Sequence, residues 1–298
     1  MELNVRMRGG LGNQMFIYGY ALALRERYPD AVIRLDLREY RHYTRRAFEL
    51  ADFNLNERVE YISDGRMGYD LPMKLYHVYQ RLYRDVKGRG PYGLSEALCR
   101  RGLVLCGTGC PLPETELPEK SYLYGYFQNA EVLLPIREKL IRAYSLPEGA
   151  MDAIPLHLRE IPADSIAVSV RLGSDIVRSG WKLCTKEYYR AGVEMIRRSH
   201  PGGKILVFSD LPDRVREEAW FDDMADEIVY VKGLTPCQQM ELLGLCSHFV
   251  ISNSTFAWWG AFLGAGEEGI IAAPALWQGN IPTAQTAIAL KNMVFPDP

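Results

Sequence analysis

Short apolar runs of four or five residues recur along the chain. Each ends in small or polar turn residues and gives way to a longer stretch with apolar positions at helical spacing. Strand, tight turn, helix is the repeating unit of an open parallel sheet. In the first half, residues 3–7 predict a strand and Arg8-Gly9-Gly10-Leu11-Gly12-Asn13-Gln14 the turn. A helix then runs to Tyr28, where Pro29-Asp30 closes it. Residues 31–35 predict the next strand, ending at Asp36.

The second half is more regular. Strands are predicted at 166–170, 204–208, 228–231, 249–252 and 270–273, the last of the chain, with helices at 186–199, 236–246 and 255–263. Residues 38–120 are less regular and rich in arginine, tyrosine and proline, while 145–164 read as a linker around one short helix. The pattern predicts an α/β protein with an N-terminal domain over 1–150 and a C-terminal domain over 151–298. Two α/β units facing across a cleft are expected, with ligands near the strand carboxyl ends.

Composition narrows the function. Of 298 residues, 48% are hydrophobic and 24% charged, an ordinary globular balance. The net charge of −2 offers no global positive field to nucleic acid. Met1-Glu2-Leu3-Asn4-Val5 reads as the start of a strand rather than a basic segment before an apolar core, so a cytoplasmic protein without a leader is expected. No apolar run approaches the ~20 residues that span a bilayer. Cys99, Cys106, Cys110, Cys184, Cys237 and Cys246 form no Cys-x-x-Cys pair, which predicts reduced, mostly buried thiols.

Four segments carry candidate chemistry. In Gly9-Gly10-Leu11-Gly12-Asn13-Gln14 the glycines allow backbone N–H groups to face an anion at a helix start; a plain tight turn capped by Asn13 and Gln14 accounts for the same residues. Arg171, at the end of a strand and before Gly173, would project its planar fork toward a diphosphate, or pair with Asp175 or Asp210. Ser209-Asp210 closes the next strand and would bind a guanine or ribose, or cap the helix after Pro212. Ser252-Asn253-Ser254-Thr255 places four small hydrogen-bonding side chains before a helix, a cradle for a nucleotide. Trp258 and Trp259 follow, as core or as a stacking wall. No Asp-x-Asp triplet occurs, so the acidic clamp for a metal-bound nucleotide sugar is missing.

Together, Arg8 to Phe16, Gly125-Tyr126-Phe127-Gln128, Val168 to Asp175, Phe208-Ser209-Asp210 and Ser252 to Gly260 resemble the α-1,2-fucosyltransferase family, glycosyltransferase family 11. The resemblance implies a GT-B-type fold with the acceptor mainly on the N-terminal half and GDP-fucose mainly on the C-terminal half. It also implies that the two domains are Rossmann-like, and that transfer is metal-independent and inverting, from GDP-β-L-fucose to the 2-hydroxyl of a galactoside. The third family motif departs: Ser169 stands where a histidine is usual, and Ser174 separates Gly173 from Asp175. Arg171 and the N–H groups around Gly10, Gly12, Ser254 and Thr255 would stabilise the leaving diphosphate. Asp175 and Asp36 are the candidate bases for the acceptor hydroxyl.

Two rivals remain. Gly10, Gly12 and Asp36 fit an NAD-dependent oxidoreductase, although Met15 replaces the third glycine. A sugar-nucleotide-binding protein that has lost catalysis would fit the missing histidine. Finally, residues 65–101 hold eight Lys/Arg against three acids, with Leu75, Val78, Leu82 and Val86 at helical spacing. That pattern suits a basic amphipathic helix on the inner face of a membrane, near a lipid-linked acceptor, or a solvated charged face over core contacts.

Overall fold

The computed structural model describes residues 1–42, 46–55, 59–87, 93–162, 164–173, 183–225, 227–278 and 281–297. The chain divides into two compact units, one of Met1–Ala51 with Leu55–Leu140, the other of Asp52–Asn54 with Ile141–Pro298. The division falls at Leu140 rather than at 150, and a three-residue piece of the early sequence belongs to the second unit. Among the described residues no helix is long and apolar enough to cross a membrane.

The first unit is built on β1 (Glu2–Arg6), β2 (Val32–Asp36), β3 (Val59–Ile62), β4 (Leu103–Leu105) and β5 (Lys120–Tyr124), in the order β3-β2-β1-β5-β4. Every pairing is parallel. Helix α1 (Leu11–Arg27) connects β1 to β2. Leu3 and Val5 of β1 are fully buried, as are Phe16, Ile17 and Tyr20 of α1. The stretch read as irregular contains helix α2 (Asp70–Lys87), whose Met73 packs with Leu105, Tyr122 and Tyr124. The helix covers the spacing of Leu75, Val78, Leu82 and Val86 noted in the sequence.

The second unit is a six-stranded sheet: β6 (Ile166–Val170), β7 (Ile205–Ser209), β8 (Ile228–Tyr230), β9 (His248–Ile251), β10 (Ile271–Ala272) and β13 (Met293–Val294). The order is β13-β10-β9-β6-β7-β8, again all parallel. The strand expected to be last is therefore followed by a small hairpin, β11 (Leu276–Gln278) with β12 (Ile281–Pro282), and by β13 at the sheet edge. The long connections are α3 (Lys186–Arg197), α4 (Pro212–Glu217), α5 (Pro236–Gly244) and α6 (Thr255–Gly264). Thr235 caps α5 with a full capping box, its hydroxyl accepting the Gln238 N–H while the Gln238 side chain accepts the Thr235 N–H. β6 and β9 are buried at every position, as expected for the central strands of a parallel sheet covered on both faces. All six cysteines are free thiols, and five are buried.

Candidate active site

In each sheet the chain leaves a central strand in one direction and returns on its other side. That reversal opens a crevice beyond the carboxyl ends of two adjacent strands, where open α/β sheets bind ligands. In the second unit the reversal lies between β6 and β9; in the first it lies between β1 and β5.

Around the second-unit crevice the predicted residues converge. Arg171-Leu172-Gly173 follows β6, Asp210 follows β7, and Ser252 to Thr255 join β9 to α6. The Arg171 Nε lies 3.3 Å from Asp210 Oδ2. The same carboxylate accepts the Leu172 and Gly173 backbone N–H groups at 2.9 and 2.8 Å. Asp210 therefore holds the β6 turn rather than capping α4 through its own side chain. Ser209 Oγ accepts the Leu211 N–H, which shapes the neighbouring turn. Asp175 lies outside the described residues.

The start of α6 is suited to an anion. Ser254 occupies the N-cap without a side-chain hydrogen bond to the helix, and no acid stands in the first turn. The amide dipoles at that end favour negative charge. Ser252 and Asn253 are buried beside it. Ser252 Oγ lies near the Tyr189 hydroxyl but makes no hydrogen bond of ordinary geometry. Burying a hydroxyl without a full partner is costly, and a bound ligand would supply one. Trp258 and Trp259 are fully buried, and the Trp258 indole N–H donates to the Ile288 carbonyl at 2.7 Å. They are core, not a stacking wall.

The first-unit loop has a different division of labour from the expected one. Gln14 is fully buried; its amide nitrogen donates to the Gly9 and Ala47 carbonyls and its oxygen accepts the Glu49 and Leu50 N–H groups. All of its hydrogen-bonding capacity is used by backbone, so Gln14 builds the loop and has none left for a nucleotide. Asn13 Oδ1 accepts from Gln128 Nε2 at 3.0 Å, tying the glycine motif to the Gly125–Gln128 segment. Gly125 has no substitute, since a Cβ there would stand 1.9 Å from the Cys106 carbonyl oxygen. Gly10 caps α1 without a side-chain bond and Gly12 is buried in its first turn, which again carries no acid.

Asp36 does not fit the role of a base. It is fully buried, 3.0 Å from Arg6 Nη1 and 2.7 Å from Arg38 Nη2, and also accepts from Arg38 Nε and backbone N–H. Burial alone would raise its pKa, but the Arg38 hydrogen bonds and the Arg6 charge win and hold it below the ordinary carboxylate value. A carboxylate so held is a poor proton acceptor, and its oxygens are already engaged by the two arginines.

What the sequence did not reveal is a cluster at the β1–β5 crevice. The Arg8 guanidinium lies over the Tyr124 and Tyr126 rings, 5.0 and 4.9 Å from their centroids, and Nη1 donates to the Tyr124 hydroxyl. His77 Nε2, from α2, is 2.7 Å from that same hydroxyl. Burial and the Arg8 and Arg6 charges push the His77 pKa below its usual value, so the ring is neutral at pH 7. Aromatic faces beside a cation and a neutral imidazole suit a sugar ring. Only the placement of α2 over β5 brings His77 there, some 70 residues from Arg8 in sequence.

One further titratable group, Asp164, His200 and His248, has ligand atoms within 4.8 Å of one another among the described residues. It lies at the amino ends of β6 and β9, the opposite end of the sheet from Arg171. His248 Nδ1 there already accepts the Ile270 N–H at 3.2 Å.

The profile of glycosyl transferase family 11 matches residues 2–295. An alpha-1,2-colitosyltransferase of Escherichia coli is 25% identical over 282 residues, covering 91% of both chains. The O-antigen biosynthesis glycosyltransferase WbnK, also of Escherichia coli, is 25% identical over 308 residues, covering 91% of this chain and 93% of its own. Among solved structures, NodZ alpha-1,6-fucosyltransferase co-crystallised with GDP superposes with a TM-score of 0.51 at 13% identity, over 88% of this chain and 92% of that one. FUT1 of Arabidopsis thaliana in complex with GDP gives 0.50 at 12% identity, over 92% and 70%. At such identity the likeness establishes the fold: two Rossmann-like domains of the GT-B class.

Proposed function

The chain belongs to glycosyl transferase family 11, and from that premise we propose that it transfers L-fucose from GDP-β-L-fucose, with inversion, to the 2-hydroxyl of a galactoside. The observation that carries the donor half is the β6–β9 crevice. It combines one guanidinium, Arg171, with a helix N-terminus lacking any acid and a buried serine hydroxyl without a full partner. Negative charge grows on the GDP β-phosphate as the glycosidic bond lengthens, and these groups are fixed in advance where that charge develops. Asp210 positions Arg171 and its turn. Asp175 is the proposed base, and His77 takes the second place that Asp36 loses. The acceptor is a galactose-containing oligosaccharide, lipid-linked and met at the inner face of the membrane.

The test is product analysis by NMR after incubation with GDP-fucose and a panel of galactosides. An α-linked fucose on O2 of galactose is the expected product. GDP-colitose serves as a competing donor, because a colitosyl group lacks one ring hydroxyl of fucose. Preference for GDP-colitose would move the assignment of donor but not of reaction class. A thermal shift with NAD and none with GDP would favour the oxidoreductase reading, and binding of GDP-fucose without turnover would favour a binding protein.

Charge stabilisation by Arg171 and backbone amides leaves no step that needs a divalent ion. Transfer in excess EDTA is therefore expected to stay within about twofold of the untreated rate. Near-complete loss, restored by magnesium or manganese, would overturn this.

A further inference from the structure

Helix α2 is apolar on two sides. Its inner side, through Met73, is committed to Tyr122, Tyr124 and Leu105 of the first-unit sheet, with Tyr69 and Tyr76 packed alongside. Leu71, Leu75, Val78 and Leu82 should then be polar if the helix merely closed the unit. Instead they are 57 to 65% exposed, and Tyr79 is half exposed. Their spacing of three or four residues puts them on one continuous stripe. A surface helix with a solvated apolar stripe of this length is unusual, because single exposed leucines are common but aligned ones mark an interface.

Charge identifies what the stripe meets. Residues 65–101 carry eight Lys/Arg and three acids in a chain whose net charge is −2. Of those acids, Asp70 is already held by Arg38 at 2.9 Å and Glu96 accepts the Glu114 and Thr115 N–H groups. Lys74, Arg66, Arg100 and Arg101 are exposed, and the sequence between 81 and 89 holds four more Lys/Arg against one acid. Two copies of the chain meeting through this stripe would bring one cationic surface against another, which opposes association. A bilayer rich in anionic headgroups offers apolar depth to the leucines and counter-charge to the lysines and arginines together. Tyr79, half exposed beside the stripe, is of a residue type that favours the headgroup boundary.

We infer that α2 docks this protein in the plane of an anionic membrane surface, with Leu71, Leu75, Val78, Tyr79 and Leu82 entering the headgroup layer. The contact is independent of which sugar is transferred. It would hold the enzyme where a lipid-linked acceptor is found.

Flotation of the full chain on vesicles of phosphatidylglycerol with phosphatidylethanolamine, against phosphatidylcholine alone, tests it. Binding to the anionic vesicles at low salt is expected, weakening as salt rises, with little on phosphatidylcholine. The double substitution Leu75→Glu with Leu82→Glu should lower the bound fraction at least about tenfold. It should leave the melting temperature and transfer to a water-soluble galactoside unchanged, since both side chains face solvent. No binding to anionic vesicles at low salt would overturn the inference, as would equal binding of the double variant. A lipid-free dimer in sedimentation velocity that the same substitutions split would overturn it in favour of a second copy of the chain. Loss of transfer by the parent chain would count against the fucosyl-transfer reading and not against this one.

Discussion

Arg171→Ala is expected to transfer about a hundredfold more slowly, a loss of about 3 kcal/mol of transition-state stabilisation, while keeping its melting temperature within a few degrees. The separation of the two effects follows from Asp210. Its carboxylate grips the Leu172 and Gly173 N–H groups independently of the arginine, so the turn after β6 persists when the guanidinium is removed. Arg171→Lys should fall between the two, keeping the charge but not the planar fork. Melting temperature and turnover measured on the same preparations check this. A variant that melts early yet turns over normally would make Arg171 a purely structural partner of Asp210, and Arg8 the next cation to examine.

The second large effect concerns stability. Asp36→Asn should destabilise the chain by about 3–5 kcal/mol, because it leaves Arg6 and Arg38 side by side without the carboxylate that compensates both. The wild-type contribution has a definite pH sense. The folded pKa of Asp36 lies below its unfolded value, so the stabilisation is fully present above the ordinary carboxylate range, about pH 4, and is lost as pH falls through the folded value. Urea unfolding at neutral and acidic pH should therefore show the variant and wild type converging in acid. Were Asp36 the catalytic base, the substitution would instead spare stability and abolish transfer.

Much of this was legible in the chain because parallel strands buried on both faces write themselves as continuous apolar runs. Residues 166–170 and 248–251, apolar but for Ser169 and His248 and buried throughout, are examples, and the small polar residues that follow them mark the crevice. The glycine motif and Ser252 to Thr255 were found for that reason. Composition could not tell a polar side chain that faces a ligand from one that closes a loop. Gln14 and Asp36 look alike in sequence to a binding residue, and only burial with saturated hydrogen bonds shows their structural work. His77 was invisible for the opposite reason: its partners Arg8 and Tyr124 are distant in sequence and meet only through sheet order.

Asp52–Asn54 belongs to the second unit although the sequence on either side belongs to the first. Phe53 is buried against Tyr144, which in turn meets Trp259 edge-on, and the Asn54 N–H donates to the Ser145 carbonyl. Chimeras that join the first unit of one family member to the second unit of another are a way to test which unit sets specificity. Here a splice at 140 would carry a foreign tripeptide into the core of the recipient half. A working graft must therefore retain the recipient's own residues at 52–54, so that the exchanged segment is two pieces rather than one.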